Sequence, residues 1–127
     1  MYITIDERDG RPIYRQVVDE IKGLIARGEL EEGSRLPPVR QVAADLGVNL
    51  NTIAYAYRQL QQEGLIRVRH GAGAVVISRV IEKSVSERLH AKLVAALTDL
   101  VLSGLTRAEV IGIVNNALNS LVRDRIR

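Results

Sequence analysis

Two short apolar periodicities separated by only three residues, Gly47-Val48-Asn49, constrain this chain more than any other feature. On the upstream side Val39, Val42, Ala43 and Leu46 recur at helical spacing behind Pro38, whose fixed φ and missing N–H suit the first residue of a helix. Gly47 ends that helix. On the downstream side Ile53, Ala56, Tyr57 and Leu60 lie at i, i+3, i+4 and i+7, and Asn49 is a good N-cap for a helix running to about Glu63. Two short helices joined by a glycine-containing turn of this length are the signature of a helix-turn-helix.

After Gly64 the stretch LIRVRHGAGAVVIS reads as a β-hairpin. Arg67 and Arg69 alternate onto one face of its first strand, and glycines occupy its tip. A hairpin directly behind a helix-turn-helix makes the motif winged. Before it, Tyr2 to Ile5 alternate in β-prone types ahead of Asp9-Gly10, which predicts a short strand and turn. Ile13, Val17, Ile21, Leu24 and Ile25 then predict a helix over about 13–27, opened by Pro12 and stopped by Gly28. GELEEGSRLPP reads as a polar connector.

From about Ile81 the character changes. Ser84 with Glu87, and Thr106 with Glu109, have capping-box spacing and open two amphipathic helices joined by a tight SGL turn. A two-helix hairpin with such wide apolar faces cannot cover them against itself. The expectation is self-association through Leu89, Leu93, Leu97, Leu100, Val110, Val114, Leu118 and Leu121. The predicted fold class is mainly α with a small β-hairpin: a winged helix-turn-helix domain over 1–79, followed by a two-helix dimerisation hairpin over 80–127.

The bulk numbers narrow the function. A chain of 127 residues leaves little room for a catalytic domain beside the winged motif. It contains no cysteine and two histidines, with no HExxH and no glycine-rich phosphate loop, so neither catalysis nor a metal or other cofactor is expected. HGAGAVV has some look of an anion-binding turn, but its place inside a hairpin favours a wing. No apolar run approaches a membrane span and the N-terminus has no signal-like core, so a cytoplasmic protein is expected. The net charge is only +3, yet its distribution is uneven. Six arginines oppose two acids between Gly33 and Arg79, whereas residues 1–32 hold five cations against eight acids.

The string LPPVRQVAADLGVNLNTIAYAYRQLQQEGLI, followed by RVRHGAGAVV, resembles the winged helix-turn-helix of the GntR family of bacterial transcription regulators. The likeness covers roughly residues 10–78, and the Asn-x-Asn-Thr turn with a short tail resembles the YtrA-type subfamily. It implies a homodimeric repressor of a palindromic operator in double-stranded DNA, often within an ABC-transporter operon that includes the regulator's own gene. It also implies DNA contact by Arg40, and a wing tip at His70 and Gly71 that enters the minor groove. Three positions depart from the family pattern. Pro38 replaces the usual Ser or Thr cap, Leu50 stands where Arg or Pro is common, and Ala72 stands where a basic or polar residue is common.

The start of the recognition helix, Asn49, Leu50, Asn51 and Thr52, is where base edges are met. Asn51 suits a bidentate pair with adenine, Thr52 can exchange hydrogen bonds or touch a thymine methyl, and Leu50 offers apolar contact alone. Tyr57 reads as core, with a hydroxyl still able to reach the surface. Tyr55 and Arg58 face the other way, as phosphate contacts or simply exposed residues. Arg35 is a weaker candidate than Arg40, and Arg67 and Arg69 are phosphate clamps or the solvated face of the hairpin. Nothing in the residues names a small-molecule effector. The competing reading is a winged-helix module that binds protein rather than DNA.

Overall fold

In the computed structural model, which describes residues 1–69, 73–77 and 83–122, the chain divides into two units, Met1–Arg79 and Val80–Arg127. The first unit is built on α1 (Ile13–Ala26), whose Val17, Val18, Ile21 and Leu24 are buried along one side. That side packs on α3 (Leu50–Gln62), where Ile53, Ala56, Tyr57 and Leu60 are buried at the predicted spacing. Fully burying each large apolar side chain contributes about 1.5–3 kcal/mol, so this seam holds the unit together.

Between them α2 (Val39–Leu46) adds Val42 and Ala43 to the core. It ends at Gly47, whose φ of 67° is left-handed backbone that costs glycine little. The chain re-enters a helix at Asn49, whose side-chain oxygen accepts from the Asn51 N–H at 2.7 Å. Pro38 lies just outside α2, as the residue before its first turn, rather than as its first residue.

Three strands complete the unit: β1 (Arg35–Leu36), β2 (Ile66–Arg69) and β3 (Gly73–Val76), antiparallel in the order β1-β3-β2. The predicted hairpin is therefore only two-thirds of the sheet. The supposed polar connector supplies the third strand, and both Leu30 and Leu36 within it are buried. The strand expected over Tyr2 to Ile5 is absent. Ile3 and Ile5 instead pack on the core while buried Gln16 clamps the segment: its side-chain oxygen accepts from the Asp6 N–H at 2.9 Å, and its amide donates to the Asp6 carbonyl at 3.0 Å and the Arg11 carbonyl at 3.1 Å. A buried side-chain amide thus satisfies backbone groups of Asp6 and Arg11 in the turn that leads into α1.

The second unit is a pair of helices, α4 (Lys83–Leu102) and α5 (Arg107–Val122). The Thr106 N–H donates to the Glu109 carboxylate at 2.9 Å and the Glu109 N–H to the Thr106 hydroxyl at 3.2 Å, a complete capping box. These bonds hold the Glu109 carboxyl below its usual range. Ser84 lies within the described span of α4. Among the described residues of this unit no side chain is fully buried, and Leu89, Leu93, Val101, Ile111, Leu118 and Leu121 are all exposed.

Candidate nucleic-acid interface

At the start of α3, the Asn49 oxygen is committed to the helix cap, while Leu50 and Asn51 are exposed and Thr52 is half-buried. No hydrogen bond within the described residues uses the Asn51 amide or the Thr52 hydroxyl. Their donors and acceptors remain available to a partner, at a helix end whose own N–H groups favour anions.

Tyr55 is exposed on the face of α3 away from the core, as expected, yet it is not without neighbours. Its ring meets that of Tyr14 on α1 edge to face, with centroids 4.6 Å apart, and the Arg58 guanidinium sits 5.7 Å from its centroid. Tyr55 therefore helps fasten α3 to α1. Arg58 is exposed beside it.

Around α1 three of the five cations are paired: Arg11 with Asp9 and Asp19, Lys22 with Glu63, and Arg27 with Glu29. Arg8 has no carboxylate partner among the described residues, nor does Arg15, which lies over the Tyr14 ring. Arg11 bonding also keeps the Asp9 carboxyl below its usual range. Arg35, Arg40, Arg58, Arg67 and Arg69 are exposed and have no carboxylate partner among the described residues.

The strand register brings three of these arginines together. Arg35 and Arg67 both stand opposite Val75, one from each neighbouring strand, so all three share one sheet face. Arg69, two residues further along β2, is on the same face opposite Gly73. Leu36, Ala74, Val76 and Ile66 occupy the other face and are buried. Val68 also belongs to that inner face but is 41% exposed, because the hairpin reaches beyond the core at this point.

Between the start of α2 and the wing lies a groove of about 450 Å³, lined mainly by Val39, Arg40, Tyr57, Val68, Arg69 and Gly73. Its shape depends on two contacts that sequence reasoning missed. The Tyr57 ring is core as expected, but its hydroxyl does not reach for solvent; it donates to the Pro37 carbonyl at 2.6 Å, tying α3 to the entry of α2. Burial pushes that phenol well above its ordinary pKa. Gly73, at φ 76°, lets β3 pass so close to β1 that a Cβ there would lie 2.6 Å from the Leu36 carbonyl oxygen. The second glycine of HGAG was a signal for Gly73, whereas nothing local marked the partner of the Tyr57 hydroxyl. His70 and Gly71, the expected wing tip, lie outside the described residues.

A capped recognition helix, a short helix before it and a three-stranded wing behind it define a winged helix-turn-helix protein. Residues 13–76 match the family profile described as bacterial regulatory proteins, gntR family, and the chain belongs to that family. Among its likenesses are proteins of the YtrA type. Over 74 residues it is 38% identical to the HTH-type transcriptional repressor YtrA of Bacillus subtilis, covering 58% of this chain and 57% of that protein. The chain thus spans a little over half the length of that curated relative. The solved structure of YtrA from Sulfolobus acidocaldarius, a GntR-family transcription factor, is 41% identical with a TM-score of 0.64, covering 76% of this chain and 97% of that one. A transcriptional antiterminator from Listeria monocytogenes has a TM-score of 0.89 at 26% identity, over 100% of this chain and 98% of that one.

Proposed function

We propose that the chain is a homodimeric, sequence-specific regulator that represses transcription by binding a palindromic operator in double-stranded DNA. The observation that carries this reading is the set of arginines without carboxylate partners, Arg35, Arg40, Arg58, Arg67 and Arg69, around a helix start whose Asn51 and Thr52 side chains are unengaged. Phosphate contacts then position the protein while Asn51 and Thr52 read base edges in the major groove. The wing tip, including His70 and Gly71, enters the adjacent minor groove. The chemistry is recognition rather than catalysis. The likeness to a repressor named YtrA supports the repressor role.

Dimerisation through α4 and α5 follows from what these helices leave uncovered. Apolar side chains run around α4 at Leu89, Leu93, Val94, Leu97, Val101 and Leu102, a belt wider than one neighbouring helix covers. A second copy supplies the same surface in return, and its two-fold symmetry sets the operator's palindrome. The regulated genes, on this reading, are an ABC-transporter operon that includes its own gene, and the protein works in the cytoplasm. No helix among the described residues is long and apolar enough to cross a membrane.

The test is a gel-shift titration on the DNA upstream of its own gene against a shuffled duplex at stated salt. Preferential retention of the upstream DNA is expected. Equal, weak retention of both even at low salt contradicts the proposal. That result would favour a protein-binding winged helix, for which the exposed apolar side chains of Leu50 and Val68 on this same surface speak.

A further inference from the structure

We infer that Leu50 and Ala54 form an apolar reading edge on α3 that selects thymine in each half-site by contact with its C5-methyl group. The inference rests on the DNA-binding reading and adds to it the base, and the chemical group on that base, that this chain's own residues select. Leu50, Ala54 and Arg58 stand at i, i+4 and i+8, so they line one strip of α3 on successive turns, beside the exposed Asn51. The strip is apolar at its first two positions and charged only at the third.

The fold does not use Leu50. It is 40% exposed and takes no part in the core, whereas Ile53, Ala56, Tyr57 and Leu60, which hold α3 to the rest of the unit, are all buried. A lone exposed leucine needs no explanation in itself, so its place carries the argument. It is the first residue of α3, directly after the Asn49 cap, at the helix end that meets base edges. In the major groove the base pairs present hydrogen-bond donors and acceptors and a single apolar group, the thymine methyl. A leucine set against any other edge covers a polar group and gives it no partner, which costs binding. Against the methyl it loses nothing and removes apolar surface from water. One turn on, Ala54 is half-buried and short, so it adds a methyl of its own without holding the helix off the bases. Hydrogen bonding stays with Asn51 and Thr52, whose side chains are unengaged among the described residues.

The probe is a duplex enriched by the full chain from a random-sequence pool, with each thymine in turn replaced by deoxyuridine. That exchange removes the methyl and leaves every hydrogen-bonding group in place. Wild-type binding should weaken roughly three- to fivefold at one or two adjacent thymines of each half-site, the effect of burying a single methyl. Leu50→Ala, melting like the wild type, should bind the thymine and uracil duplexes alike at the thymine that Leu50 meets. With cytosine placed there instead, its 5-methyl derivative should restore part of wild-type binding and none of the binding of Leu50→Ala. Indifference of the wild type to uracil at every thymine overturns the inference, as does a Leu50→Ala chain that keeps the full thymine preference, or an enriched half-site that contains no thymine. Each of those outcomes leaves the DNA-binding reading standing. If no duplex is enriched at all, that reading itself falls, and the methyl assignment with it.

Discussion

Tyr57 shows how one side chain joins the core to the interface. Its ring fills the α3 seam while its hydroxyl bonds the Pro37 carbonyl at 2.6 Å, and so fixes where α2 begins relative to α3. Tyr57→Phe should cost about 1–2 kcal/mol in urea unfolding, because it leaves a carbonyl without its partner. The raised phenol pKa gives this bond a pH dependence with a definite sign. The stabilisation is fully present below the ordinary tyrosine value of about 10 and is lost as pH rises through the higher folded value. The stability gap between wild type and Tyr57→Phe should therefore stay constant from pH 7 to 9 and shrink above 10. At the surface, Arg40→Ala should weaken binding to all duplexes alike and lower the salt slope by about one. Asn51→Ala should instead change preference at one base position by about 1–3 kcal/mol, so an unchanged preference in that variant removes Asn51 from base readout.

At the scale of elements, the wing is where the sheet's stability and the interface meet. Gly73→Ala forces a Cβ against the Leu36 carbonyl at a positive φ, and should destabilise the first unit by about 1–3 kcal/mol while disturbing the Arg40–Arg69 groove. Circular-dichroism melts combined with DNA titration would read both effects. The helices were legible in the sequence because their signals are local: apolar spacing in α1 and α3, Asn49 as a cap, Gly47 as a stop, and the Thr106–Glu109 box. β1 was not, because two residues carry no periodicity and its existence depends on β3 arriving beside it from far along the chain. With β1 hidden, the shared face of Arg35, Val75 and Arg67 was hidden too. Tyr2 to Ile5 erred in the opposite sense. Their β-prone alternation is real, but Ile3 and Ile5 pack on the core and no strand forms. Tyr55 is exposed as expected, but its ring contact was not legible, because its partner, Tyr14, lies on another helix.

At the scale of the whole molecule, two units divide the work proposed for them: one reads DNA and the other pairs two readers. Leu118→Glu places a charge among exposed apolar side chains of α5 without disturbing a packed core, so folding should survive while association does not. Sedimentation should find monomers, and operator affinity should fall in the same variant, because two half-sites are no longer held together. Persisting dimers would place the interface elsewhere.

The central claim, sequence-specific recognition by a paired winged helix-turn-helix, is tested most directly by selecting duplexes from a random pool with the wild-type chain at near-physiological salt. The account predicts an enriched palindrome with half-sites about one helical turn apart, roughly 10 base pairs centre to centre. A flat pool, in which no sequence is enriched over the starting material, would contradict it.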